Sequence, residues 1–166
     1  ILWICLMHLW IPKPLISKPY STLLYTAETS GREVLLGARI ASDGQWRFPS
    51  GSEVPEKFAV CLTQYEDKRF WYHPGVDPFA LMRAVQLNLT QSRVVSGGST
   101  LTMQLARIAQ GNQSRTVGQK VIEMLWALYL ECSYSKVEIL RMYASNAPFG
   151  GNVVGIESAA WRYFGR

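Results

Sequence analysis

The sequence of 166 residues is poor in metal-binding and cross-linking side chains, with two histidines and three cysteines. Two histidines, one of them His8 in the opening apolar stretch, cannot furnish a His-rich metal centre. Three cysteines are too few, and odd in number, for a disulfide scaffold. Without a C-x-x-C pair a cysteine-based zinc site has little support. Cys5, Cys61 and Cys132 stand among apolar residues and are expected to be buried free thiols. Charged residues make up only 17% of the chain, but 48% hydrophobic and 12% aromatic content exclude intrinsic disorder. No repeat and no low-complexity segment occurs, and the Gly-Lys-Ser/Thr ending of a nucleotide P-loop is missing, which disfavours ATP. The opening apolar stretch, residues 1–11, is shorter than the roughly 20 residues that a bilayer crossing needs.

What is present begins with charge. Lysine and arginine number 17 against 12 acidic residues, giving a net charge of +5 and pointing to an anionic partner: nucleic acid, anionic lipid or a phosphorylated substrate. The length suits one domain with a real core. Trp3 and Trp10 in the apolar stretch suit a membrane interface, and Lys13 and Lys18 lie just beyond. No small-residue cleavage site follows, so residues 1–12 are expected to be the stump of a membrane anchor rather than a signal peptide. Both ends of the chain are expected to be cut.

From Tyr20 to Phe48 the pattern is strand-like, with turn signals at Ser30-Gly31 and Asp43-Gly44. Short strands are predicted at Val34-Leu35-Leu36 and Gln45-Trp46-Arg47-Phe48. Beyond Pro49 the period becomes helical. Pro55 opens a helix with Phe58, Leu62 and Tyr65 on one face, and Asp77-Pro78 caps a second running through Met82, Val85 and Leu89. Leu101, Leu105 and Ile108 define a third helix, and Val117, Val121, Met124 and Leu128 a fourth. Ser135-x-x-Glu138 is a capping box opening a fifth, with Ile139, Leu140 and Tyr143 inward. Ile156, Ala159, Ala160 and Tyr163 make a last one. The expected layout is a mainly α domain over 50–166 behind a linker and short β strands over 13–49.

Three clusters could carry chemistry. At the end of the first helix, residues 66–75 crowd acid, base and aromatic side chains before a Pro-Gly break. A carboxylate there can act as a general base, or the cluster can simply be a solvated helix end. Residues 96–107 place glycines before hydroxyls at a helix start, which exposes N–H groups to an anion or makes a flexible N-cap. Lys120 and Glu123 share a helical face and can form a surface pair; with Arg107 and Arg115 the cations would also fit a diphosphate.

Taken in order, the clusters resemble the motifs of the peptidoglycan glycosyltransferases (glycosyltransferase family 51), a domain of class A penicillin-binding proteins. Glu66, Asp67, Phe70, His73 and Gly75 match Glu-Asp-x-x-Phe-x-x-His-x-Gly. Gly97 or Gly98, Ser99, Thr100, Thr102 and Gln104 match Gly-x-Ser-Thr-x-Thr-x-Gln, and Lys120 with Glu123 match Arg-Lys-x-x-Glu. Lys136, Ile139, Leu140 and Tyr143 match a fourth motif, and Gly155-Ile156, Ala159-Ala160 and Tyr163-Phe164-Gly165 a closing one. Trp46-Arg47-Phe48-Pro49, Met103 and residues 147–151 are similar to one branch of the family. The chain departs from the pattern at Gln119, Met103, Ser145 and Arg166, where the family has Arg, Gln, Asn and Lys.

The resemblance implies a lysozyme-like α domain with a membrane-embedded subdomain and a cleft. It also implies a reaction: polymerisation of lipid II, an undecaprenyl-diphosphate-linked disaccharide pentapeptide, into β-1,4 glycan strands. Glu66 would be the general base. Lys120, Arg107 and Arg115 would stabilise the departing diphosphate, with a divalent cation (Mg or Mn) bridging phosphate oxygens. Glu123 would orient those cations or hold the metal. Gly98, Ser99, Thr100 and Gln104 would bind the donor, and Asp67, Phe70 and His73 belong to the substrate-binding motif. Implied partners are lipid II, the growing glycan strand, the membrane and moenomycin-type inhibitors. The implied location is the outer face of the cytoplasmic membrane, reached from a single-pass anchor. A lysozyme-like lytic enzyme and a non-catalytic lipid II-binding module are the competing classes. No nucleic-acid module is recognised.

Overall fold

Helices begin where the sequence supplies caps. In the computed structural model, which describes residues 6, 11, 15–27, 33–91, 93, 97–111 and 116–165, the Asp77 carboxylate accepts the amides of Phe79 and Ala80 ahead of α2 (Pro78–Thr90). Thr100 accepts the Met103 amide ahead of α3 (Leu101–Ala109), and Thr116 that of Gln119 ahead of α4 (Val117–Ser133). The predicted capping box forms: Ser135 and Glu138 exchange side-chain and backbone bonds at the start of α5 (Lys136–Asn146). α1 (Glu56–Glu66) follows Pro55 without a side-chain cap, and α6 (Ile156–Phe164) follows Gly155. Four short strands complete the described elements, so the chain is mainly α with small β pieces, as its sequence predicts.

The chain divides into two compact units. The first comprises residues 1–16 and 54–143. Its centre is α3, whose Leu101, Thr102, Met103, Leu105 and Ala106 are all fully buried. α4 packs along it with Trp126, Ala127, Tyr129 and Leu130, and Phe70, Ile139 and Leu140 complete the core. Each buried Leu or Ile contributes roughly 1.5–3 kcal/mol of transfer free energy.

The second unit comprises residues 17–53 and 144–166. β1 (Thr22–Ala27) and β2 (Glu33–Arg39) form an antiparallel hairpin, with a bulge between Leu24 and Tyr25. β3 (Trp46–Arg47) pairs in parallel with β4 (Val153–Val154). Trp161 of α6 lies 5.7 Å from the Trp46 ring and 5.5 Å from Phe48. This pairing draws residues 144–166 to the β segment, whereas the sequence suggested one domain over 50–166.

The helices form where the periodicity places them, but the residues that marked them are not all buried. Met82, Val85 and Leu89 of α2 are 68%, 57% and 75% exposed, and Ala84 is the helix's buried residue. Tyr65 is 89% exposed, and in α4 the buried face runs through Glu123, Trp126 and Ala127 rather than Val117 and Val121. Tyr163 is exposed as well. Periodicity identifies an apolar stripe but not what covers it. Cys61 and Cys132 are exposed, not buried. The expected anchor over 1–12 lies outside the described residues except Leu6 and Ile11, as do Cys5 and the Ser30-Gly31 turn. Among the described residues no helix is long and apolar enough to cross a membrane.

Candidate active site

The first unit contains a cleft of about 1230 Å³, walled by the end of α1, one face of α2, the 97–100 loop, α3 and the first half of α4. Glu66, the last residue of α1, stands exposed at its edge. The neighbouring residue explains its orientation. Asp67 is buried; its carboxylate accepts the Leu101 amide at 2.9 Å and takes His73 Nε2 at 3.0 Å. With Asp67 pinned against the start of α3, Glu66 is left to the cleft.

His73 is held from both sides. Its Nδ1 accepts the Gly75 amide at 3.1 Å, so the ring proton sits on Nε2 and donates to Asp67. The Thr100 hydroxyl donates to the Gly75 carbonyl at 2.5 Å, and Lys136 Nζ donates to the His73 carbonyl at 2.6 Å. Lys136 also reaches Glu131 at 2.8 Å and stands 4.6 Å from the Phe70 ring centroid. These bonds fix the 67–75 loop to the starts of α3 and α5. Gly75 tolerates no side chain there: its φ is +91° and a Cβ would lie 2.6 Å from the Ala127 carbonyl oxygen.

Cations gather around the same cleft. Arg107 makes a bidentate pair with Glu123, at 2.7 and 2.8 Å. The hydrogen bond to Glu123 raises the Arg107 pKa, against an opposing effect of burial, so the guanidinium is permanently charged. Lys120 Nζ donates to the Gly97 carbonyl at 2.5 Å and to Ser99 Oγ at 2.7 Å. Arg69 pairs with Asp77 at 2.8 and 2.9 Å. Burial opposes ionisation of Asp77, but the Ala80 amide and Arg69 outweigh it and keep the carboxyl pKa low. Lys68 and Arg83 also line the cleft and form no ion pair among the described residues.

Gln104 spans the floor. Its Nε2 donates to Glu66 Oε2 at 3.0 Å, and its Oε1 accepts the Tyr143 hydroxyl at 3.0 Å. Glu66 Oε1 takes no hydrogen bond among the described residues. A carboxylate with one oxygen engaged and one free, in a cleft lined by fixed cations, can take a proton from a nucleophile while those cations hold an anionic leaving group.

The structure thus brings Glu66, Asp67, Gly98, Ser99, Thr100, Gln104, Arg107, Lys120 and Glu123 to the cleft. Phe70 and His73 are buried and do not line it. Asp67 and Thr100 spend their polar atoms on the scaffold. Lys120 and Glu123, read from spacing as a surface pair, take different partners. Arg115 lies outside the described residues. The donor set does not fit a protein-held divalent cation: both oxygens of Glu123 are taken by Arg107, and those of Asp67 and Asp77 by internal partners. Among the described residues no group of three His, Cys, Asp or Glu could hold a metal.

Two departures from the motif pattern leave the cleft intact. Met103 is fully buried in α3, and the Gln119 side chain donates to Gln110 at 2.7 Å. Sequence reasoning missed Lys68, Arg69, Arg83 and the partner role of Tyr143. The signal for α2 was available: Ala80, Ala84 and Asn88, four apart, form the small or polar stripe that faces the cleft.

Comparison with known proteins finds a family and relatives for the chain. The transglycosylase family model matches residues 35–166. Penicillin-binding protein 1C of Escherichia coli is 48% identical over 126 residues, 75% of this chain and 16% of the relative. Penicillin-binding protein 1A of Aquifex aeolicus is 36% identical over 72% of the chain and 16% of its own length. Penicillin-binding protein 1A/1B of Bacillus subtilis is 31% identical over 90% of the chain and 16% of its own length. The chain therefore spans about a sixth of the length of these relatives.

Proposed function

The chain belongs to the transglycosylase family, and from that premise we propose that its cleft polymerises lipid II into β-1,4 glycan strands of peptidoglycan. The observation that carries this reading is the free oxygen of Glu66 facing a cleft lined by Arg107, Lys120, Lys68 and Arg83.

The chemistry follows from charge. A sugar hydroxyl of the acceptor must lose a proton as it attacks the anomeric carbon of the donor, and Glu66 Oε1 accepts it. The C–O bond to the diphosphate breaks as the new glycosidic bond forms on the opposite face, so a single displacement inverts the anomeric centre. Undecaprenyl diphosphate leaves as a stable anion. Arg107, held by Glu123, and Lys120, held by Gly97 and Ser99, neutralise it, so no general acid is required. That requirement separates this cleft from a glycosidase, which needs a second carboxyl as acid. Here the second carboxylate, Glu123, orients Arg107.

Lipid II and the growing strand are the proposed partners, moenomycin-type phosphoglycolipids the proposed inhibitors, and a lysozyme-like fold the finer architecture. Attachment to the outer face of the cytoplasmic membrane through residues 1–12 accords with a lipid-linked substrate. The test is incubation of the chain with lipid II in detergent, with products resolved by gel. A β-1,4-linked polymer is expected. Cleavage of preformed glycan would support a lytic enzyme instead, and binding without product a non-catalytic module.

A further inference from the structure

The hydrogen bonds around Glu66 have only one consistent direction. An ionised carboxylate can only accept, so Gln104 must present its NH₂ to Glu66 Oε2. The amide oxygen then faces away, and the Tyr143 hydroxyl that meets it must donate. Tyr143 is well suited to remain a donor: it is 8% exposed, and burial followed by the nearby negative charge of Glu66 pushes its pKa up to about 12. The hydroxyl therefore keeps its proton at neutral pH.

The titratable and charged groups around Glu66 come from every wall of the cleft and from α5. They are Asp67, Lys68 and Arg69 beside it, Asp77 and Arg83 at and on α2, Arg107 on α3, Lys120 and Glu123 on α4, and Tyr143 on α5. Of these, Tyr143 reaches Glu66 through a directed hydrogen-bond chain of two links.

We propose that Tyr143 is a positioning residue that locks the Gln104 amide in the orientation holding Glu66 Oε2, leaving Oε1 as the single proton acceptor. The inference rests on the proposed function, since it assigns how the base of that reaction is set. Without the hydroxyl, the amide can rotate and turn its oxygen toward the carboxylate, which repels it and frees the Glu66 side chain to leave its working position. Neither Tyr143 nor its hydroxyl lines the cleft, so substrate binding is untouched.

The test is a double-mutant cycle on lipid II polymerisation with Tyr143→Phe, Gln104→Met and both together, with Glu66→Gln run alongside. Tyr143→Phe is expected to lower kcat about tenfold with KM within about twofold of wild type, the value of one positioning hydrogen bond. In the Gln104→Met background the same substitution is expected to cause no further loss, because there is no amide left to orient. Near-UV circular dichroism of each variant reports folding, and Phe retains the ring that packs at this site. A Tyr143→Phe loss of equal size in both backgrounds, a KM change in place of the kcat change, or unchanged kcat would overturn the proposal. Absence of polymer from the wild type would instead overturn the function on which it rests, and full polymerisation by Glu66→Gln the role of Glu66 as its base, which keeps these failures apart.

Discussion

The Arg107–Glu123 pair offers an asymmetric perturbation. Glu123 is 2% exposed and Arg107 20% exposed. Arg107→Met strands a carboxylate deep in the first unit without its counter-charge, a loss of about 3–5 kcal/mol. Glu123→Gln instead strands a guanidinium that lines the cleft and can reach water, and Gln keeps one acceptor oxygen, so about 1–2 kcal/mol is expected. Removing both charges with Arg107→Met/Glu123→Met leaves no orphan, and the double variant should lie within about 1 kcal/mol of wild type. Urea unfolding followed by the fluorescence of the six tryptophans reads this order. With a slope of about 2 kcal/mol/M, a 3 kcal/mol loss moves the midpoint by about 1.5 M. If the double variant loses the sum of the single losses, or Glu123→Gln costs more than Arg107→Met, the two side chains do not act as a buried pair.

Three further outcomes follow from the geometry. Asp77→Ala removes an N-cap worth about 1 kcal/mol and a partly exposed ion pair worth up to about 1 kcal/mol. Because the folded Asp77 pKa lies below its unfolded value, this contribution is fully present above about pH 4 and is lost as pH falls through the folded value; urea midpoints of the two proteins should therefore converge in acid. Gly75→Ala should cost about 2–4 kcal/mol, from a positive φ and a Cβ forced against the Ala127 backbone, as a drop in melting temperature reports. Cys61 and Cys132 should both react with a thiol reagent in the folded protein, without denaturant.

How much of this the sequence carried depended on whether the signal was local. Caps are local: Asp77-Pro78 and the Ser135–Glu138 box are visible in the sequence and form as expected. The Asp43-Gly44 turn and the strand at Trp46–Arg47 were legible for the same reason. Burial is not local. The Met82, Val85 and Leu89 stripe reads like a core face, yet it is exposed because α2 presents only Ala84 to the interior. In α4 a polar residue, Glu123, sits on the buried face because Arg107, 16 residues earlier, is there to meet it. Nothing in the local pattern announces that partner.

The site divides in the same way. Motif order identified Glu66, Gln104 and Lys120, and the clustering of cations Arg107, all of which line the cleft. It did not separate residues that face a substrate from residues that hold the scaffold. Asp67 and His73 belong to the motif as strictly as Glu66 does, but their bonds are to Leu101 and Gly75 inside the unit. The hydrogen bond between Gln104 and Tyr143 joins residues 39 apart in the chain, so spacing could not expose it.

The proposed chemistry turns on Glu66, and the decisive measurement compares wild type with Glu66→Gln for lipid II polymerisation and, separately, for lipid II binding. The substitution keeps size and hydrogen bonding but removes the proton acceptor. Polymer is expected to disappear while binding stays within a few-fold of wild type. Polymerisation by Glu66→Gln at a rate near that of wild type would contradict that chemistry.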